Sequence, residues 1–162
     1  MEETNMEIHV ASGVASGPTE LAAFDASLYA AGIANFNLLQ LSSVIPPNSK
    51  VIEHDDRIPS VEGEWGDRLY VVKADYRTTI PGTEAWAGIG WVIDDATGKG
   101  LFVEHEGENK EQVEWQIENS LKSLMAIRNI DLGEMHMKVD GILCEHDPVG
   151  AIVIAVFKSE PW

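Results

Sequence analysis

The sequence is short of basic residues. It sets 11 lysines and arginines against 27 aspartates and glutamates, a formal net charge of −16 at neutral pH. Sequence-independent nucleic-acid binding depends on lysine and arginine neutralising phosphate, so no nucleic-acid partner is expected. A polybasic membrane contact is excluded for the same reason. Long apolar runs are also missing, and nothing approaches the roughly 20 residues of a membrane-spanning helix. The acidic start, residues 1–10, lacks the basic-then-apolar order of a secretory signal. Cysteine occurs once, as Cys144, so there is no internal disulfide framework. These absences point to a soluble protein of a reducing compartment, the cytoplasm.

What is present is apolar. Hydrophobic residues make up 44% of the 162, too many for a disordered acidic chain and enough for a sizeable core. The length fits a single domain over residues 1–162. Residues 7–11 read as a short strand, broken by Gly13, Ser16 and Gly17. A helix then starts near Pro18 and Glu20 and stops at Gly32, with Leu21, Phe24 and Leu28 as its apolar stripe. Residues 35–47 form an apolar extended segment that Pro46 and Pro47 end. Residues 51–53, 69–78, 85–93, 101–104, 135–143 and 151–157 read as strands, with loops at 59–67 and 94–100. Asn109 followed by Gln112 marks the start of a long helix burying Val113, Ile117, Leu121, Leu124 and Met125. Two helices cannot cover both faces of one long parallel sheet, so the order of elements points to an α+β sandwich with mixed or antiparallel sheets.

Common motifs fail. Gly88-Ile-Gly90 sits inside a strand and has neither the third glycine nor the following helix of a dinucleotide site. Cys144-Glu145-His146-Asp147 has no second ligand pair for a metal and reads as a strand end entering a charged turn, with Cys144 as a buried, inert thiol. Asp25 borders the apolar stripe of its helix. Either a cation partners it there or the helix is rotated and Asp25 is solvated. Ser42-Ser43 places two small hydroxyls between Leu-Leu-Gln-Leu and Val-Ile-Pro-Pro, where a strand prefers larger residues.

Several segments together carry a resemblance. They are Gly17-Pro-Thr-Glu-Leu-Ala-Ala-Phe-Asp25, Ala31-Gly-Ile-Ala-Asn-Phe-Asn37, Leu41-Ser-Ser-Val-Ile-Pro-Pro47, Ala87-Gly-Ile-Gly-Trp91 and Gly100-Leu-Phe-Val-Glu-His-Glu-Gly107. In that order, and across most of the chain, the sequence resembles the pyruvoyl-dependent arginine decarboxylases. The resemblance implies a four-layer α/β/β/α sandwich. It also implies an autocatalytic cut in which the Ser43 hydroxyl attacks the Ser42 carbonyl, leaving chains 1–42 and 43–162. The pyruvoyl group derived from Ser43 would be the cofactor, with no metal and no pyridoxal phosphate, and would act as an electron sink.

Carried over residue by residue, the resemblance makes Asn37 the processing residue, a hydrogen-bond donor to the developing oxyanion. It makes Glu104 the proton donor, which must stay protonated near neutral pH and so needs a raised pKa. Glu106 would point to the same side of a strand. Asp25 becomes the acceptor for the guanidinium of L-arginine. The implied assembly is a homotrimer, or a higher multiple, with active sites between neighbours. Trp86, Trp91 and Trp115 suit either the core or those interfaces. The expected reaction is decarboxylation of L-arginine to agmatine and carbon dioxide, in polyamine synthesis or acid consumption. The alternatives are a related decarboxylase acting on an amino acid such as histidine, and an uncleaved, non-catalytic relative.

Overall fold

A computed structural model describes residues 5–162; residues 1–4, the beginning of the acidic start, lie outside it. The elements in chain order are β1 (Met6–Ser16), α1 (Glu20–Ala31), β2 (Asn37–Gln40), β3 (Val44–Ile45), β4 (Ser49–Glu53), β5 (Arg68–Thr78), β6 (Glu84–Ile93), β7 (Gly100–Gly107), α2 (Lys110–Arg128), β8 (His136–Leu143) and β9 (Val149–Glu160). They form two sheets. The five-stranded one is ordered β2-β5-β9-β1-β4 and the four-stranded one β3-β7-β6-β8. The first is mixed, because β1 pairs parallel with β4 and β2 with β5. The second is antiparallel throughout.

Three apolar clusters fix the layers. Alternate residues of both sheets, including Ile8, Val10, Val72, Ala74, Ile89, Phe102 and Val153, fill the space between them. Leu28, Ala31 and Ile33 cover the outer face of the five-stranded sheet over Leu69, Val71, Ile152 and Ile154. Val113, Ile117 and Leu121 of α2 cover the other sheet over Val92, Leu101 and Val103. The result is helix, sheet, sheet, helix. β9 is apolar on every residue from Val149 to Val156 because it lies in mid-sheet with both faces covered.

Local chemistry explains the boundaries. Asn109 caps α2 by accepting the Gln112 N–H at 2.9 Å. Thr19 caps α1, accepting the Ala22 N–H at 3.0 Å, so the helix starts just after Pro18 rather than with it in the first turn. Gly32 closes α1 in the left-handed region, with φ 90°.

Two expectations need correction. β1 does not stop before Gly13 but runs on to Ser16, paired with β9 from His9 onward, and Gly13 sits within it because a Cβ there would collide with the Ser27 carbonyl of α1. That close approach also turns α1. It buries the small residues Ala23, Ser27 and Ala31 with Leu28, while Leu21 is 68% exposed. Asp25 accordingly lies on the exposed side. The segment 35–47 is also not one strand. β2 joins the edge of one sheet and β3 the edge of the other, so residues 41–43 cross between the layers.

Gly88 and Gly90 face α2. A Cβ on Gly88 would come 2.7 Å from Ile117 Cδ1, and one on Gly90 would strike Ile117 Cγ2. The two glycines seat a helix, and Ile89 between them fills the inter-sheet core. Trp91 is buried beside Phe102, Trp86 packs toward α2, and Trp115 is exposed.

Candidate active site

Where the chain crosses between the sheets, Ser42 is exposed and Ser43 half-buried. Ser43 has φ 77°, in the left-handed region that an L-residue with a side chain adopts at a cost of about 1–3 kcal/mol. Two contacts hold it there. Its carbonyl accepts the Phe102 N–H at 2.8 Å, just before the β3–β7 ladder begins at Val44 opposite Leu101. Its hydroxyl donates to Glu104 Oε2 at 2.9 Å. The cavity around them measures about 400 Å³ and is lined by Ser42, Ser43, Phe102, Val103, Glu104, His105, Ser120, Ser123 and Leu124.

Glu104 sits on β7 opposite Ile89 and so faces the inter-sheet side. Burial pushes its carboxyl above the usual carboxylate range, and the Ser43 hydroxyl pulls partly the other way. Glu106 lies on the same face, opposite Ala87, and is also pushed up, by burial first and then by Asp75 and Glu104. Glu104 is the one that reaches Ser43. His105 points to the opposite face, where its Nε2 lies 2.7 Å from Ser120 Oγ on α2. Burial lowers its pKa. Nothing in the local sequence marks Ser120 or Leu124 as site residues, because they arrive through the packing of α2.

Asp25 and Asn37 come together elsewhere. They share a second cavity of about 400 Å³ with Tyr29, Ala34, Asn35, Phe36, Trp65 and Gly66. Asn37 donates its side-chain N–H to the Gly66 carbonyl at 2.7 Å, and its backbone N–H to Asp67 at 2.8 Å. Asp25 is exposed and has no ion-pair partner among the described residues. One chain thus carries two separate clusters: a serine under a carboxyl group, and a carboxylate beside an amide.

The Cys144 segment forms a turn. Cys144 is buried, and its Sγ–H donates to the Asp147 carbonyl at 3.4 Å. Among the described residues no group of three or more histidine, cysteine, aspartate or glutamate side chains is placed to hold a metal ion. No helix among the described residues is long and apolar enough to cross a membrane.

Residues 7–157 match the family model described as pyruvoyl-dependent arginine decarboxylase. A curated pyruvoyl-dependent arginine decarboxylase of Halobacterium salinarum is 34% identical, over 95% of this chain and 96% of its own. One from Thermococcus sibiricus is 34% identical over 88% of each chain. Among solved structures, a pyruvoyl-dependent histidine decarboxylase matches 66% of this chain and 56% of its own, at 15% identity and a TM-score of 0.45.

Proposed function

The chain belongs to the pyruvoyl-dependent arginine decarboxylase family, and from that premise we propose that it cuts itself between Ser42 and Ser43 and then converts L-arginine to agmatine and carbon dioxide. The observation that carries this reading is Ser43, held at positive φ with its hydroxyl on Glu104. In the cut, the Ser43 oxygen adds to the Ser42 carbonyl carbon and the peptide nitrogen departs, exchanging an amide for an ester. Elimination frees the Ser42 carboxylate, and hydrolysis of the resulting dehydroalanine releases ammonia and leaves a pyruvoyl group at position 43.

The surroundings fit that group. The Ser43 carbonyl, which would become its amide carbonyl, is already anchored on Phe102 N–H, and Phe102, Val103 and Leu124 give the cavity apolar walls. The group would supply the electron sink that decarboxylation needs. The chain's own residues do the rest. Glu104, its carboxyl pushed up by burial, is the group we assign to return a proton to the substrate α-carbon. Asp25 offers a carboxylate to the guanidinium, a pairing that is planar and bidentate.

Because Asp25 and Asn37 line a different cavity from Ser43 and Glu104, we place the complete site between neighbouring copies, in a trimer or a multiple of it. The buried single thiol suits the cytoplasm.

Intact mass is the deciding test. The expected result is two polypeptides, 1–42 and 43–162, the larger blocked by pyruvoyl, together with carbon dioxide release from arginine. A single full-length species after prolonged incubation would refute self-cleavage. Release from histidine but not arginine would refute the substrate.

A further inference from the structure

Two histidines meet where the chain leaves the five-stranded sheet. His9 stands on β1, and His54 directly follows the last residue of β4. The two strands run parallel with His9 opposite Ile52, and the His54 N–H extends the pairing to the Val10 carbonyl, 2.9 Å away. The rings stack, with 5.1 Å between centroids and 16° between planes. His9 Nδ1 and His54 Nε2 are 2.8 Å apart.

Such a contact needs one proton between the two nitrogens, so that one donates and the other accepts. The neutral pair satisfies this, and so does the pair with one extra proton. The doubly protonated pair does not: both nitrogens then carry hydrogen and both rings carry positive charge.

Charged groups reach this corner from several elements. Lys138 of β8 donates its amino group to the Asp55 carbonyl at 2.8 Å, and Asp55 and Asp56 carboxylates stand near His54. Glu7 of β1, Glu62 of the following loop and Lys158 of β9 share a cavity of about 350 Å³ with His9. Burial, His9 and Lys138 together hold His54 below its ordinary pKa, with Asp55 and Asp56 opposing. The fold therefore favours neutral His54. Stability from this corner is complete above about pH 6.5 and is lost as pH falls below it.

From His54 the chain runs through a loop to Asp67. Near its root, Ser12 N–H donates to the Asp56 carbonyl at 2.9 Å, and Ile58 N–H to the Ala31 carbonyl at 3.0 Å. At its far end Gly66 N–H donates to the Asn35 carbonyl at 2.8 Å, and the Gly66 carbonyl accepts from Asn37 and Trp162. Trp65 and Gly66 then form part of the Asp25 cavity.

We infer that the His9–His54 pair is a proton-operated clasp on the 54–67 loop, closed until the second proton arrives, and that the wall of the Asp25 cavity is the element it controls. The clasp is independent of the reaction proposed above, and its test reads no turnover. Amide hydrogen exchange is followed on the full chain from pH 8 to pH 5, corrected for intrinsic pH dependence and referred to β9. Between about pH 6.5 and the second midpoint of the closed pair, exchange at Ser12, Ile58 and Gly66 is expected to rise about tenfold for each pH unit of fall, because opening takes up one proton. The β9 amides should stay unchanged, and His54→Gln should remove the dependence. Unchanged protection of the wild-type loop, or the same rise in His54→Gln, would overturn the clasp. A rise at Ser12 and Ile58 that leaves Gly66 protected would overturn its control of the cavity. Should His54→Gln fail to fold, nitrogen-15 titration of the wild-type rings decides: two well-separated midpoints support a shared proton, and two coincident ones near 6.5 overturn it.

Discussion

Ser43 combines three properties that rarely meet in one serine. It sits in the left-handed region, its carbonyl is pinned to β7, and its hydroxyl is on a carboxyl group that burial pushes above the usual carboxylate range. Ser43→Ala should leave one full-length chain with no turnover, seen by intact mass and carbon dioxide release. Turnover in that variant would move the cofactor's source elsewhere. Glu104→Gln should still cleave, because the amide oxygen can accept the same hydroxyl proton, but it has no proton to return. Decarboxylation should then slow by about 100- to 10,000-fold. Since the protonated form works, wild-type kcat should fall as pH rises through the raised Glu104 pKa, and the Gln variant should lack that limb. The sequence shows two carboxyls, Glu104 and Glu106, on one face of a strand. Strand periodicity cannot rank them, and only the position of Ser43 does.

At the scale of elements, periodicity made some parts legible and left others hidden. The long helix α2, its Asn109 cap and the alternating or fully apolar strands followed from spacing alone, because burial imposes periods of 3.6 and 2. α1 misled at Leu21, because apart from Leu28 its fully buried side is made of alanine and serine. The approach of Gly13 rewards small residues, and the larger Leu21 is displaced to solvent. The division of 35–47 between two sheets was hidden as well, since which sheet a strand joins is decided by distant partners. Glycines that seat a helix invite a direct test. Gly90→Val should force Ile117 out of its place and destabilise the protein by about 1–3 kcal/mol in denaturant unfolding. Asn129→Gly, at a helix end already at φ 50°, should cost little by comparison.

At the scale of the whole molecule, the proposed site between copies would make activity a property of the assembly. Asp25→Asn and Ser43→Ala should each be inactive alone, yet co-expressed they should regain turnover, because a mixed trimer contains sites that take a sound Asp25 from one copy and a sound Ser43 from another. Failure to complement in a proven mixed trimer would return the site to a single chain. The net charge of −16 would play a looser part, weakly drawing in the cationic substrate proposed above. Topology has a sharper effect. β1 lies between β9 and β4, both beyond the proposed cut, and β2 is zipped to β5. The short piece is therefore gripped like a tight ligand whose binding is the fold itself. In an uncut chain such as Ser43→Ala that piece stays tethered whatever the concentration. A cut one would also have to recapture residues 1–42, with β1 and β2, from solution, so its melting point should climb more steeply with protein concentration than that of the uncut variant.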